Sequence, residues 1–278
     1  MHRLGTALVG SAVLLALFAL LTYLFIPDRV LQGIVARGLA QEGFTFTAAR
    51  LGKAFPLGVT AKRVEIGNES GPLLKADEAT IRIALLPILR GKLEMDYRLR
   101  IGTGELFGSY FPGGNGNSTF ETRDVKLEEI PFFPTVTGAK VKGDLSGHGS
   151  LAGRQATASG ELQLEARKTD LSGMKIGDTP LPDAAYDSAR ISLKVSSGKI
   201  LLESFTLQGE GLYVRLKGDL PLTSPLSAAP LNLTLELMPK PDFLDRQKFV
   251  FLLLTKFQAS PGHFQIPIKG TLGKPAIQ

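Results

Sequence analysis

Three histidines, His2, His148 and His263, are the side chains best suited to proton transfer or metal binding near neutral pH, and they lie far apart in the chain. Cysteine is absent, which removes thiol nucleophiles, thiolate zinc sites, disulfides and iron–sulfur clusters together. The string Gly147-His148-Gly149-Ser150-Leu151-Ala152 fits a dinucleotide fingerprint, in which glycines let a pyrophosphate approach the start of a helix. The residues that follow, Arg154 to Ala166, alternate like a strand, so no helix is expected there and His148 falls on a polar face beside Ser146 and Ser150. His263 reads as a turn residue ahead of a last strand. Asp124, Glu128 and Glu129 could supply paired carboxylates, yet adjacent residues of an extended chain point to opposite faces and do not flank one bond. A solvated loop accounts for them. No HExxH, P-loop, EF-hand or GxSxG pattern occurs. The chain is therefore expected to be no enzyme, with no catalytic, cofactor-binding or metal site.

The elements that must position any other kind of site follow from composition. The 278 residues are 44% hydrophobic and 21% charged, with a mean hydropathy of +0.11. That excludes intrinsic disorder and points to a membrane-inserted part. The net charge is +6, but the 32 Lys and Arg are dispersed, so a solvated surface explains them better than a nucleic-acid partner.

Gly5 to Ile26 contains no charged residue, and at 1.5 Å per residue a helix of that length covers about 33 Å, enough for a bilayer core. The run ends in Tyr23-Leu24-Phe25-Ile26-Pro27, without the small-residue site of a cleaved signal peptide. Residues 1–26 are thus expected to form an uncleaved transmembrane anchor and residues 27–278 a β-rich domain across the membrane. Asp28 to Glu42 places Val30, Leu31, Ile34, Val35 and Leu39 at helical spacing, with Gly43 as a stop. Beyond it the period becomes two. Leu93, Met95, Tyr97, Leu99 and Ile101 alternate with charged residues, and the same signature recurs at 79–85, 156–164, 189–195, 212–216, 231–237 and 264–268.

Gly143, Gly147, Gly149, Gly153, Gly160, Gly209, Gly211 and Gly218 fall at strand ends or inside these patterns, where bulges and bends are expected. The fold class that results is mostly β: a strongly curved antiparallel sheet, trough or sandwich-like, with the transmembrane helix and a few short helices. One helix is expected over Pro241 to Phe257, capping the apolar face or lying against the membrane. Because each strand hides one face only, something must cover the other apolar surface. A bound acyl chain would do so in an apolar groove formed by Leu93, Met95, Tyr97, Leu99, Ile191, Leu193, Val195, Leu231, Leu233 and Leu235; a closed core is the other solution.

The anchor and first helix are followed by Phe55-Pro56-Leu57-Gly58-Val59, Val64-Glu65-Ile66-Gly67-Asn68, Gly71-Pro72-Leu73-Leu74-Lys75-Ala76 and Leu85-Leu86-Pro87-Ile88-Leu89-Arg90-Gly91-Lys92. This opening resembles bacterial AsmA-like envelope proteins. Overall length, the single anchor and the ending Ile266-Pro267-Ile268-Lys269-Gly270-Thr271-Leu272-Gly273-Lys274-Pro275 resemble the type II secretion system protein N (GspN) family. The likeness rests on structural glycines, prolines and apolar positions, so no active-site residue is carried over. It implies an inner-membrane protein with its bulk in the periplasm, a non-enzymatic component of the type II secretion system acting by contact with other subunits. The AsmA side of the resemblance implies lipid binding or transfer in outer-membrane biogenesis, with phospholipid as the partner.

Overall fold

The computed structural model describes residues 28–277 except residues 42, 56, 89, 114–115, 154–156, 177–178 and 224–227. The expected anchor, residues 1–26, lies outside the described residues. Among those described, no helix is long and apolar enough to cross a membrane.

The chain enters through α1 (Asp28–Gln41), which Gly43 ends at φ 83°, and α1 packs on the first strand. Val30 and Ile34 of α1 stay exposed, so part of its apolar side faces away from the sheet. Then come β1 (Thr45–Ala54), β2 (Gly58–Asn68) and β3 (Gly71–Ile83), a single turn α2 (Leu85–Ile88), and β4 (Met95–Ile101), β5 (Gly104–Phe111) and β6 (Asn117–Lys126). A 3-10 turn (Leu127–Glu129) and α3 (Phe132–Thr137) lead to β7 (Lys140–Ala152) and β8 (Ser159–Ser172). A small hairpin, β9 (Lys175–Ile176) and β10 (Thr179–Pro180), is inserted before β11 (Ala184–Ser196), β12 (Lys199–Gln208), β13 (Leu212–Pro221) and β14 (Asn232–Pro239). Helices α4 (Pro241–Arg246) and α5 (Lys248–Leu253) and a 3-10 turn (Thr255–Phe257) precede β15 (Gln258–Ser260), β16 (His263–Thr271) and β17 (Lys274–Ile277).

Strand makes up 64% of the structure. All but the inserted hairpin belong to one 15-stranded antiparallel sheet in which nearly every strand pairs with its neighbour in sequence, from β1 at one edge to β16 and its partners β15 and β17 at the other. Tight hairpins make this possible. Ser197 and Gly198, at φ 51° and 72°, form the two-residue connection between β11 and β12, a backbone that suits the right-handed twist of the flanking strands.

The sheet is not strongly curved, contrary to what the glycine pattern suggested. Gly147, Gly149, Gly160, Gly209 and Gly211 have no positive φ; only Gly143 and Gly218, at φ 143° and 137°, sit at register shifts within strands. Most of these glycines serve close approach instead. Tyr97 lies opposite Gly108, reaches across it and donates its hydroxyl hydrogen to the Thr119 carbonyl at 2.8 Å, and a Cβ on Gly108 would meet that carbonyl and the Tyr97 hydroxyl. Gly108→Ala is expected to lower stability by about 1–3 kcal/mol through overpacking. Gly38→Ala, in α1 with open space around it, is expected to cost nothing; paired thermal melts of the two variants check this.

The strands hide one face. Leu51, Ala61, Val64, Ala76, Ile101 and Val125 form one buried cluster on β1–β6 and the residues around them. A larger cluster runs from Val141 on β7 to Ile268 on β16 and takes in Leu127, Phe243, Phe251 and Leu254 from the connecting segments. Ile130 and Leu145 pack on both, so the two form one continuous apolar layer. The expected C-terminal helix is two short ones, α4 and α5, broken at Gln247. They cap the apolar face through Phe243 and Phe251, while Phe249, Leu252 and Leu253 project outward at 85%, 58% and 60% exposure.

Candidate apolar binding site

The apolar side chains of a one-faced sheet stack across the strands in rows. In this structure two rows run side by side almost from edge to edge. The inner row passes from Ala79 to Leu99, Leu106, Thr122, Gly147 and Leu164. It continues through Ile191, Phe205, Leu216 and Leu235 to Ile266. The outer row passes from Ile81 to Tyr97, Gly108, Phe120, Gly149 and Leu162, then through Leu193, Leu202, Gly218 and Leu233 to Ile268. Aromatic rings alternate with glycine in its first half, so the rings lie down over the glycines and the surface stays low. The outer row is only partly covered: Ile81 is 46% exposed, and Tyr97, Leu162, Leu193, Leu202 and Leu233 are half-buried.

Where the inner row passes β7 to β16 it borders a cavity of about 310 Å³. Seven successive strands of the sheet contribute to its wall, and Phe132, Phe133, Met174, Ile176 and Leu181 cover it from above. The usual twist of about 20–25° between neighbouring strands, accumulated over seven of them, turns their apolar faces toward a common space without a sharp bend. The cover is tied down at two points. Thr135 of α3 donates its hydroxyl hydrogen to the Pro72 carbonyl at 2.7 Å, and Gln247 between the C-terminal helices donates to the Asp183 carbonyl at 3.1 Å. Every lining side chain is hydrocarbon or thioether except Thr169 and Tyr186.

A wider open groove of about 980 Å³ is lined by Glu78, Arg82, Glu94, Arg98, Arg100, Glu105, Glu121 and His148 from the polar face, together with Phe107 and with Tyr97, Gly108, Phe120 and Gly149 of the outer row. Acids and bases interleave there and neutralise each other in exposed pairs, Arg100 with Glu78 at 3.7 Å and Arg98 with Glu105 at 3.9 Å. Exposed pairs of this kind contribute little and leave no field of one sign to hold a charged ligand. Its size reflects solvent over a charged sheet face, and the apolar side is the better candidate.

Of the ten groove residues expected from sequence, Tyr97, Leu193 and Leu233 lie in the outer row and Leu99, Ile191 and Leu235 in the inner one. Met95 and Val195 belong to a third row beyond the outer one, through Tyr110 and Leu151. Leu93 precedes β4 and is exposed, and Leu231 is buried just ahead of β14; these two are not on the track. Only Ile191 and Leu235 of the ten line the cavity. The rest of its wall was missed because Phe132, Met174 and Leu181 come from connecting segments whose sequence carries no period to place them.

His2 lies outside the described residues, and His148 and His263 stand on different strands, β7 and β16. His148 is exposed on β7, whose extended backbone rules out the helix a dinucleotide fingerprint needs. His263 is a correction: Pro261 and Gly262 make the turn, and His263 opens β16 with its Nε2 buried and unpartnered among the described residues. Glu128 accepts the Gly143 backbone N–H at 3.3 Å. Glu129 is less solvated than a free loop would leave it, with Oε2 buried and lacking a hydrogen-bond partner among the described residues. No group of three or more metal-ligating side chains occurs among the described residues. Compared with family models, with curated proteins and with solved structures, the chain matches none.

Proposed function

We propose that this chain is a non-enzymatic, membrane-tethered envelope protein that holds the acyl chain of a lipid on the apolar face of its sheet, in the manner its AsmA-like sequence features imply. The observation that supports this is the pair of apolar rows running across the strands, half-open along their outer side and joined to a hydrocarbon-lined cavity. A chain laid across the strands gains about 0.8 kcal/mol for each methylene it buries, so affinity needs no charged group. An open trough, rather than a sealed sandwich, is the form of the sheet that this reading requires. The tether would hold the trough at the inner membrane with its bulk in the periplasm, next to its lipid source. Native mass spectrometry of the full chain, released gently from detergent, is expected to show phospholipid bound in about one-to-one ratio; protein without lipid under those conditions overturns the reading.

The GspN-like features support a second reading, a subunit of the type II secretion system acting by protein contact. The observation in its favour is the β1 edge, Thr45–Ala54, which pairs with β2 alone and ends beside the exposed Phe55. Such an edge can accept a strand from a partner. Photo-crosslinkers at Thr47 and Lys53 are expected to capture another secretion subunit in cells, and their failure to capture one removes the observation's force.

A further inference from the structure

Exposed large apolar side chains gather at one corner of the sheet. Connections between antiparallel strands fall at two ends, and the β1–β2 turn and the β3–β4 connection fall at the same end, joined where the Ile83 N–H donates to the Leu57 carbonyl at 2.8 Å. Phe55 on the turn is 83% exposed, and Leu85, Leu86, Ile88 and Leu93 on the connection are exposed beside it. The next three connections at this end, residues 112–116, 153–158 and 197–198, carry no leucine, isoleucine, valine, methionine or aromatic residue. The apolar tip is thus confined to the corner formed by β1 to β4. Its longer connection closes on itself: Ala84 donates to the Glu94 carbonyl and Lys92 to the Pro87 carbonyl, both at 2.9 Å. Arg90 and Lys92 stand exposed among the apolar residues, and half-buried Glu94 is the one acid of the connection.

A contiguous exposed apolar patch calls for a covering surface, and a bilayer fits this one. A tight turn, in which Gly43 and Phe44 donate to the Ala40 and Leu39 carbonyls at 3.1 and 3.0 Å, folds α1 back along β1, on which it packs. At 1.5 Å per residue the 14 residues of α1 cover about 21 Å, so Asp28 is carried from the start of β1 toward the end that bears Phe55. The uncharged run expected to span the membrane ends two residues before it, at Ile26. Val30 and Ile34, the exposed apolar residues of α1, lie in its first half and so toward the same end. A loop enters an apolar medium only if its polar backbone groups are satisfied, a condition that Ala84 and Lys92 meet within the connection. Arg90 and Lys92 match the anionic headgroups of a phospholipid surface. The other exposed apolar patch, Phe249, Leu252 and Leu253, follows β14 at the opposite end of the strands, away from the tether.

We infer that this tip, Phe55 with Leu85, Leu86, Ile88 and Leu93, dips into the phospholipid bilayer beside the tether and brings the open start of the outer row to the membrane surface. Ile81, where that row starts, lies on β3 just before the connection and is itself exposed. The inference rests on the reading of a tethered, lipid-holding protein above and adds the place where a phospholipid chain passes from bilayer to sheet. Because the chain has no tryptophan, one introduced at a chosen site reports alone. The full chain is placed in phosphatidylcholine–phosphatidylglycerol nanodiscs with and without bromine on the acyl chains. The emission of Leu86→Trp is expected to fall by about half or more in the brominated discs, since an interfacial contact sinks about 5–10 Å into the headgroup–acyl boundary. Phe249→Trp is expected to keep its emission. Leu86→Trp quenched no more than Phe249→Trp overturns the inference, as it would if a protein rather than lipid covered the tip. Leu162→Trp, half-buried in the middle of the outer row, tests the acyl-chain reading separately and is expected to be quenched by a brominated chain held there. Quenching at Leu86→Trp without quenching at Leu162→Trp overturns that reading and leaves the membrane contact of the tip standing. Leu86 and Phe249 are both exposed, so their comparison needs no core to repack.

Discussion

Full-length protein carrying Leu193→Asp is expected to retain roughly a tenth or less of the lipid that the unaltered protein carries, because a carboxylate on an acyl track must be desolvated by whatever lies over it. Leu193 stands between Leu162 and Leu202 in the middle of the outer row. It is half-buried, so the new carboxylate keeps contact with solvent and the fold survives. Leu193→Met, which conserves volume and apolarity, is expected to leave the lipid load unchanged. Phosphorus content per mole of purified protein reads both. If Leu193→Asp carries as much lipid as Leu193→Met, chains do not lie along this row.

The second large effect concerns stability. Ile266 is fully buried on β16, opposite Leu235, at the last turn of the inner row. It belongs to the same cluster as Phe243, Phe251 and Leu254, and so joins the sheet to its helical cap. Truncation there leaves a cavity that packed neighbours fill only in part, and Ile266→Ala is expected to lose about 2–5 kcal/mol. With no tryptophan in the chain, unfolding in urea is best followed by far-ultraviolet circular dichroism. A midpoint that does not move would mean that the C-terminal strands are not integrated with the rest of the sheet.

Much of this molecule is legible in its residues because alternation is a local signal. Met95 to Ile101, Ala189 to Val195 and Phe264 to Ile268 announce strands with one dry face, and each is a strand. The amphipathic α1 and its glycine stop are equally local. The curvature was misread because a glycine in a strand has two meanings that sequence does not separate: a shift of register, as at Gly143, or room for a neighbour, as at Gly108 beneath Tyr97. The cavity was only half visible for a different reason. Strand periodicity shows which residues share a face but not which strand lies next to which. The rows across the sheet emerge only once the ladders place Leu164 beside Ile191, and Ile191 beside Phe205. Thr169 and Tyr186 gave no signal at all, since a threonine and a tyrosine in strands are ordinary residues until their surroundings are known.

The order of the strands carries a consequence for how such a protein can change over time. Because the sheet is chiefly a meander of sequential strands, excising or inserting one hairpin shifts everything beyond it by two strands, about 9–10 Å, and creates new pairing only at the junction. Away from that junction each strand keeps its neighbours, and the same side chains still face the same way. From β1 to β16 the twelve steps amount to about 58 Å along the sheet. The molecule is thus built like a folding ruler, whose reach is set by the number of its segments and is free to lengthen or shorten by whole pairs of them.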